Sequence, residues 1–306
     1  MKAWTMHQYG DPDVVQLEDV PAPKPGASDV LVRIESAAVN PLDNKLVSGA
    51  VRDHFPVKFP YVLGMDVAGT VEAVGHDVSA WKAGDRVFFK CGGGAFAEHV
   101  VTPQSALAHL PDAVTFSDAA ALTTAGGTAW EAVMEKGGLK SGQKVLIHAG
   151  TGGVGHFAVQ FAKLAGAHVI ATSSAANLAL LRELGADEAI DYKADDFAKK
   201  VSDVDLVLDP LGGETQKKSI GVLREGGILV SLVQPPDQKL LAQRKARGLA
   251  MGHQSTAERL EKIVGLLADG KIRVLTEATF PFDKVPDALA RVATGKARGK
   301  VVVDVA

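Results

Sequence analysis

Three glycines, Gly150, Gly152 and Gly155, follow the apolar run 145–149 in the spacing G-x-G-x-x-G, and a helix-like segment continues from them without a break. That order suits a dinucleotide. The first glycine permits a tight strand-to-helix turn, the second lets main chain approach a pyrophosphate, and the third lets helix pack on strand. The N–H groups opening the helix then present the positive end of its dipole to phosphates. The spacing alone also occurs in ordinary turns; the flanking strand and helix are what raise it to a cofactor site. An NAD-specific site usually carries a carboxylate about 20 positions past the glycines, bonding the ribose hydroxyls. This chain instead reads ATSSAAN there, with Thr172, Ser173, Ser174 and Asn177. Hydroxyls can donate to a 2′-phosphate that a carboxylate would repel, which points to NADPH. An ordinary polar loop is the competing reading of the two serines. Asn177 supplies no cation, and Arg182 reads as a solvated helix residue.

A turn of this kind needs strands alternating with helices, and the chain from Leu139 onward supplies them. KVLIHA (144–149), AHVIAT (167–172), EAID (188–191), DLVLD (205–209) and GILVSL (227–232) read as strands. Helical patterns lie between and after them, including NLALLRELG (177–185) and AERLEKIVGLLADG (257–270). The alternation implies a doubly wound parallel sheet with helices on both faces, the α/β Rossmann class. Residues before 124 read differently. VLVRIESAAV (30–39), DVAGTVEAVG (66–75) and DRVFF (85–89) are short strand-like runs separated by Gly and Pro, the punctuation of a compact β barrel. After Gly270 the strand-like text returns as VLTEATF and KVVVDV. The expected organisation is a dinucleotide-binding domain at 124–270 and a β-rich domain assembled from 1–123 and 271–306.

With 306 residues, two domains are the better expectation. Hydrophobic residues at 46% provide a core, and a net charge of −3 argues against a broad nucleic-acid surface. No apolar stretch reaches the length of a bilayer span, and the N-terminus lacks the apolar centre of a signal peptide. A single cysteine, Cys91, excludes an internal disulfide and a cysteine-based zinc cluster. The expectation is a soluble, cytoplasmic protein with a small-molecule substrate and neither nucleic-acid nor membrane partner.

Motifs along nearly the whole chain carry a family resemblance. They are GDPDVVQLEDVPAPKPG (10–26), VNPLDNKLVSG (39–49), VLGMDVAGTVEAVG (62–75), GDRVF, GGGAFAEHVV, LTTAGGTAWEAV (122–133), HAGTGGVG, LRELGAD, VLDPLGGE and GKVVVDV. The chain resembles zinc-independent medium-chain dehydrogenases/reductases of the quinone oxidoreductase (zeta-crystallin-like) group. That resemblance implies a GroES-like substrate domain, discontinuous in sequence, around the Rossmann domain. It places Asn40 and Asp43 beside nicotinamide and substrate, with Asn40 donating to the substrate carbonyl and Asp43 organising it or the ribose. N-P-L-D also reads as a plain turn with a capping Asp. Thr128 matches a threonine near the nicotinamide end, and alternatively reads as a helix N-cap. Gly153 and Val154 would give N–H groups to the pyrophosphate. Tyr192 matches a tyrosine near the adenosine phosphate, against a half-buried strand-end role. Lys300 matches a basic residue close to the cofactor, against an exposed lysine before a strand. Leu208 and Asp209 close one strand and Leu232 with Val233 another, on the carboxyl side where open α/β sheets bind ligands.

Relatives that use zinc place a Cys at or beside Asn40 and Gly-His-Glu where this chain reads Gly64, Met65, Asp66. A thioether and a lone carboxylate do not replace His and Cys in a tetrahedral N/S site, and His54, His76, His99 and His109 are scattered. No metal is expected. Without a Lewis acid, hydride delivery to a conjugated acceptor is better chemistry than alcohol oxidation. The expectation is an NADPH-dependent reductase of quinones or α,β-unsaturated carbonyls, its pocket walled by Leu46, 51–55, Phe88 and a short basic loop at 233–249. Tyr9, Tyr61 and Tyr192 carry no motif for proton donation, and Cys91 reads as a small buried filler. The resemblance further implies a homodimer joined through edge strands at 247–253. An NADPH-binding structural or stress protein with little turnover and a zinc-free alcohol dehydrogenase are the alternatives.

Overall fold

A computed structural model describes residues 1–252 and 254–306. Its chain divides into two compact units, Met1–Thr124 with Ser255–Ala306, and Ala125–Gln254. The first stretch holds strands β1 (Lys2–Met6), β2 (Gln16–Asp19), β3 (Asp29–Val39), β4 (Tyr61–Val62), β5 (Asp66–Val74), β6 (Arg86–Lys90), β7 (His99–Pro103) and β8 (Ala108–His109). Helix α1 (Pro41–Val47) follows β3, and α2 (Phe116–Trp130) follows β8. In the second unit β9 (Lys144–Ile147), α3 (Gly155–Leu164), β10 (His168–Ser173), α4 (Leu178–Glu183) and β11 (Glu188–Asp191) come first. Then come α5 (Phe197–Lys200), β12 (Val204–Asp209), α6 (Gly213–Val222), β13 (Leu223–Ser231), α7 (Gln238–Arg244) and β14 (Arg247–Ala250). The chain ends with α8 (Ala257–Ala268), β15 (Thr276–Pro281), α9 (Val285–Ala293) and β16 (Lys300–Asp304).

The second unit is built on one parallel sheet in the order β11-β10-β9-β12-β13-β14. Counted from β9 that is 3-2-1-4-5-6, the doubly wound order, with its switch point between β9 and β12. Burial explains why the strands read as unbroken apolar runs. Helices cover both faces, so in β12 every residue from Leu206 to Asp209 is buried. In the first unit β3 alternates buried and more exposed residues over its first half, as a sheet with one packed face requires. β3 is the hub there. It pairs antiparallel with β5, β7 and β16, and β16 carries β15 in parallel, so the C-terminal strands complete the N-terminal sheet. Its core gathers Val30, Val32, Ile34, Phe89, Phe96 and Val303.

Three expectations need revision. The second boundary falls at Gln254/Ser255, not at Gly270. Helix α8 is where the periodicity put it, with Leu260, Ile263 and Val264 buried and Thr256 capping its first turn by accepting from Arg259 N–H at 3.3 Å. Its apolar stripe packs on β8 of the first unit, where Glu261 Oε1 accepts from His109 N–H at 3.3 Å. A 3.6-residue stripe does not say which sheet it will cover. The second revision concerns α2, a 15-residue helix in text read as β-rich. Thr115 and Asp118 form its capping pair, and the buried run Ala119 to Thr123 holds it against the core. Burial outweighs the helix-weakening Gly126 and Gly127, so Thr128 sits in the last turn of α2 and is not an N-cap. Third, the segment 233–249 is not a loop: it contains α7 and most of β14, capped by Asp237.

Candidate active site

The glycine turn folds as its spacing requires. At the end of β9, Ala149 adopts φ 51°, a left-handed conformation that turns the chain out of the sheet. Gly150 N–H donates to Thr172 O at 2.9 Å and Gly152 N–H to Ala149 O at 2.8 Å. A Cβ on Gly155 would lie 2.1 Å from Ala149 O and 2.8 Å from Gly150 Cα, and one on Gly150 2.7 Å from Leu181 Cδ2. Those two glycines are therefore fixed by packing. Around Gly152 a Cβ would approach nothing closer than Ala149 O at 3.2 Å, which leaves that side of the turn open to a ligand. The N–H groups of Gly153 and Val154, at the start of the ten-residue α3, make no hydrogen bond among the described residues. Unpartnered donors at the positive end of a helix suit a pyrophosphate.

His148 anchors this turn from below. Its side chain is 1% exposed, and burial holds the imidazole down at about 4, so it is neutral. Ser219 Oγ donates its proton to Thr215 O at 2.7 Å, so it accepts from His148 Nε2–H at 2.8 Å. His148 Nδ1 then accepts from Thr172 Oγ1 at 3.1 Å. One neutral ring thus ties β9 to α6 and β10.

At the end of β10 the Ser173 and Thr151 hydroxyls share a hydrogen bond of 2.7 Å. Asn177 Nδ2 donates to Ser174 Oγ at 3.2 Å, leaving the Ser174 proton to point elsewhere. Tyr192, read as half-buried in the competing view, is 57% exposed, and its N–H donates to Ser173 O at 3.1 Å. Next to it stands Lys193, which sequence reasoning passed over. Its ammonium lies 5.9 Å from the Tyr192 ring centroid and makes no ion pair among the described residues. The Asp191 carboxylate is turned onto Lys193 N–H at 3.1 Å. On β12 the Asp209 carboxylate is fully engaged within the fold. It accepts from Leu211 N–H (3.0 Å), Gly212 N–H (2.9 Å) and Gln216 Nε2 (2.9 Å). Leu208 is buried beside it, and Leu232 N–H bonds Asp209 O at 2.9 Å. Val233 and Leu211 are exposed apolar groups following those strand ends.

The first unit brings Asn40, Asp43 and Lys300 together with two residues not singled out for function, Asp66 and Thr124. Asn40 caps α1, and Asp43 Oδ2 reaches back to accept from Asn40 N–H at 2.7 Å. Asn40 Nδ2 donates to Asp66 Oδ2 at 2.9 Å, and Asn40 Oδ1 accepts from Lys300 Nζ at 2.7 Å. Lys300 also donates to Val39 O at 3.0 Å and faces Asp66 Oδ2 at 3.7 Å. The Thr124 hydroxyl donates a short hydrogen bond to Asp66 Oδ1. Lys300 is 3% exposed, so it is not the surface lysine of the competing reading. Burial pushes its ammonium below the usual lysine range, opposed by the Asp66 and Asp43 carboxylates. Asp43 is fully buried with Oδ1 unpartnered, and burial together with the Asp66 charge pushes it up to about 7. Cys91 packs against the same region, its thiol pushed up to about 12 by burial while Sγ donates to Met65 O at 3.3 Å. Thr128, 7% exposed, belongs to the other unit. Leu46 and Phe88, expected as pocket walls, are interior residues at 1% and 0% exposure; Phe55, at 50%, is open to solvent. The buried acid was detectable: Asp66 is the only charged residue between Tyr61 and Thr70.

Residues 26–112 match the family described as the alcohol dehydrogenase GroES-like domain, and residues 184–303 match that described as zinc-binding dehydrogenase. A chloroplast envelope quinone oxidoreductase homolog of Arabidopsis thaliana is 36% identical over 93% of this chain and 92% of its own. A 2-methylene-furan-3-one reductase of Solanum lycopersicum is 37% identical over 99% of this chain and 79% of its own. Among solved structures, the quinone oxidoreductase of Coxiella burnetii superposes with a TM-score of 0.95 at 34% identity, covering 100% of this chain and 99% of that one. The Escherichia coli quinone oxidoreductase complexed with NADPH gives 0.92 at 26% identity, with both chains covered at 100%.

Proposed function

The chain belongs to the quinone oxidoreductase group of the medium-chain dehydrogenases/reductases, an NAD(P)H-dependent oxidoreductase family, and from that premise we propose an NADPH-dependent, zinc-independent reductase of quinones or α,β-unsaturated carbonyls. The single observation that carries the acceptor half of this reading is the Asn40 amide, held in a buried ionic cluster with one N–H uncommitted. In the second unit Gly153 and Val154 hold the pyrophosphate through main-chain N–H groups. Ser173, Ser174 and Lys193, with Tyr192 beside them, take the 2′-phosphate, which favours NADPH over NADH. The bound dinucleotide supplies a hydride. Asn40 donates to the acceptor oxygen as negative charge develops there, and Asp43 fixes the Asn40 main chain. Water supplies the proton.

The donor set around Asn40 supports metal independence. A zinc ion needs a compact shell of N, S or O ligands, but here Lys300 already brings an ammonium to Asn40 Oδ1 and Asp66, and Met65 offers only a thioether. Oxidation of NADPH followed by nicotinamide absorbance, with a panel of quinones, enones and simple aldehydes, tests the reading. Turnover with conjugated acceptors alone, insensitive to chelators, is the expected result. Tight NADPH binding without turnover on any acceptor selects the non-enzyme reading instead. We also propose a cytoplasmic homodimer. Among the described residues β14 pairs only with β13, so its outer edge is available to a second copy. His253, the far end of the stretch expected to dimerise, lies outside the described residues. A monomeric mass by light scattering would overturn that part.

A further inference from the structure

A planar amide presents oxygen and NH2 in nearly the same shape, so its partners decide which way round it sits. For Asn40 the partners are charged and of opposite sign. Its Oδ1 lies 2.7 Å from the Lys300 ammonium and its Nδ2 2.9 Å from Asp66 Oδ2. Reversing the amide would set NH2 against the ammonium and oxygen against the carboxylate. Thr124 holds Asp66 from the far side through its hydroxyl and its N–H. One of the two Nδ2–H bonds goes to Asp66; the other makes no hydrogen bond among the described residues, and Asn40 keeps 7% exposure. All three Lys300 donors face inward, to Val39 O, Asn40 Oδ1 and Asp66.

We infer that Lys300 is a positioning residue for reduction, locking the Asn40 amide and sending its positive charge through that amide to the acceptor oxygen. This rests on the reductase reading above. A cation bonded to an amide oxygen draws electron density from the nitrogen and makes its N–H a stronger donor. Away from water that polarisation is weakly screened, so a fixed ammonium can assist at a developing oxyanion without touching it. The charged groups facing Lys300 are Asp66 on β5 and Asp43 on α1, with Lys90 on β6 acting on Asp43. The resemblance implies only that this lysine lies close to the cofactor; the cluster ties it to the Asn40 amide and Asp66.

Lys300→Met alone leaves the Asp66 carboxylate buried without a counter-charge, so the decisive variant is Lys300→Met with Asp66→Asn, which removes both charges. The expected result is a folded protein that binds NADPH with unchanged Kd but shows kcat lowered roughly 100-fold, the scale of losing one oxyanion donor. Wild-type kcat should also fall at alkaline pH as Lys300 deprotonates, and that limb should vanish in the double variant. A folded double variant with wild-type kcat overturns the inference. So does weakened NADPH binding at unchanged kcat, which would make Lys300 a cofactor ligand. A wild-type protein inactive on every acceptor sinks the reductase reading and this inference together, whereas an active wild type beside an unaffected variant sinks this one alone.

Discussion

Asp43→Asn should make the protein more stable at neutral pH, against the usual outcome for a buried substitution. The Asp43 carboxyl is 0% exposed, has one unpartnered oxygen and titrates near 7, raised from 3.8 chiefly by burial. Between those two values the folded protein keeps a proton that the unfolded chain has released. Stability therefore falls as pH rises from about 4 to 7 and is flat beyond. At about 1.4 kcal/mol per pH unit over that roughly three-unit window, the ionised side chain costs about 4 kcal/mol above pH 7. An amide at this position never ionises and can still accept from Asn40 N–H, with a loss of about 1 kcal/mol for the weaker bond. The net gain at pH 8 is on the order of 3 kcal/mol, and it turns into a loss of about 1 kcal/mol near pH 4, where only the weaker bond remains. Calorimetric unfolding of wild type and variant at matched pH from 4.5 to 8.5 measures the difference, which cancels the background of other carboxylates. A difference independent of pH, or a variant less stable than wild type at pH 8, would refute the reasoning. A destabilising carboxylate kept in the interior is what a functional site can require.

Other consequences are open to measurement. His148, neutral and bonded at both nitrogens, favours the folded state fully above its unfolded value of 6.5 and progressively less as pH falls toward about 4. Denaturant midpoints should record about 3 kcal/mol lost across that window, and His148→Gln should flatten the slope. Lys193→Ala should raise the Kd for NADPH roughly tenfold while leaving NADH within about twofold, as loss of one exposed charge-assisted contact to a 2′-phosphate would. Equal effects on both nucleotides, read by fluorescence titration, would remove Lys193 from phosphate recognition. Gly155→Ala places a methyl 2.1 Å from Ala149 O, so it should destabilise the second unit by about 2 kcal/mol and abolish nucleotide binding. A variant that binds NADPH normally would show that this turn is not the phosphate cradle.

The parallel unit was legible because its central strands β9, β10, β12 and β13 contain short apolar runs and its first turn carries Gly150, Gly152 and Gly155 where the spacing requires them, whereas the edge strand β14, Arg-Gly-Leu-Ala, has no such run. The first-unit strands were legible too, through Gly and Pro punctuation. What sequence could not give was assignment over distance. Helix α8 has an apolar stripe that fits any sheet, and only tertiary packing sends it to β8. Lys300 and Asn40 are 260 residues apart, and nothing local to KVVVD says that its lysine turns inward to an amide and a carboxylate. Asp66 was weighed only as a failed metal ligand, although a lone acid in an apolar strand already implies a buried partner. Lys193 was overlooked because the cation was sought at position 177, on the neighbouring β10–α4 connection.

The proposed activity is reduction of conjugated acceptors with NADPH and without a metal. The most direct measurement is single-turnover mixing of protein-bound NADPH with a quinone, in chelator-treated buffer, following nicotinamide absorbance. Full oxidation of the bound NADPH in one phase, at a rate unchanged by added zinc, is the expected result. Bound NADPH that persists with every quinone and enone, or oxidises only when zinc is restored, would contradict it.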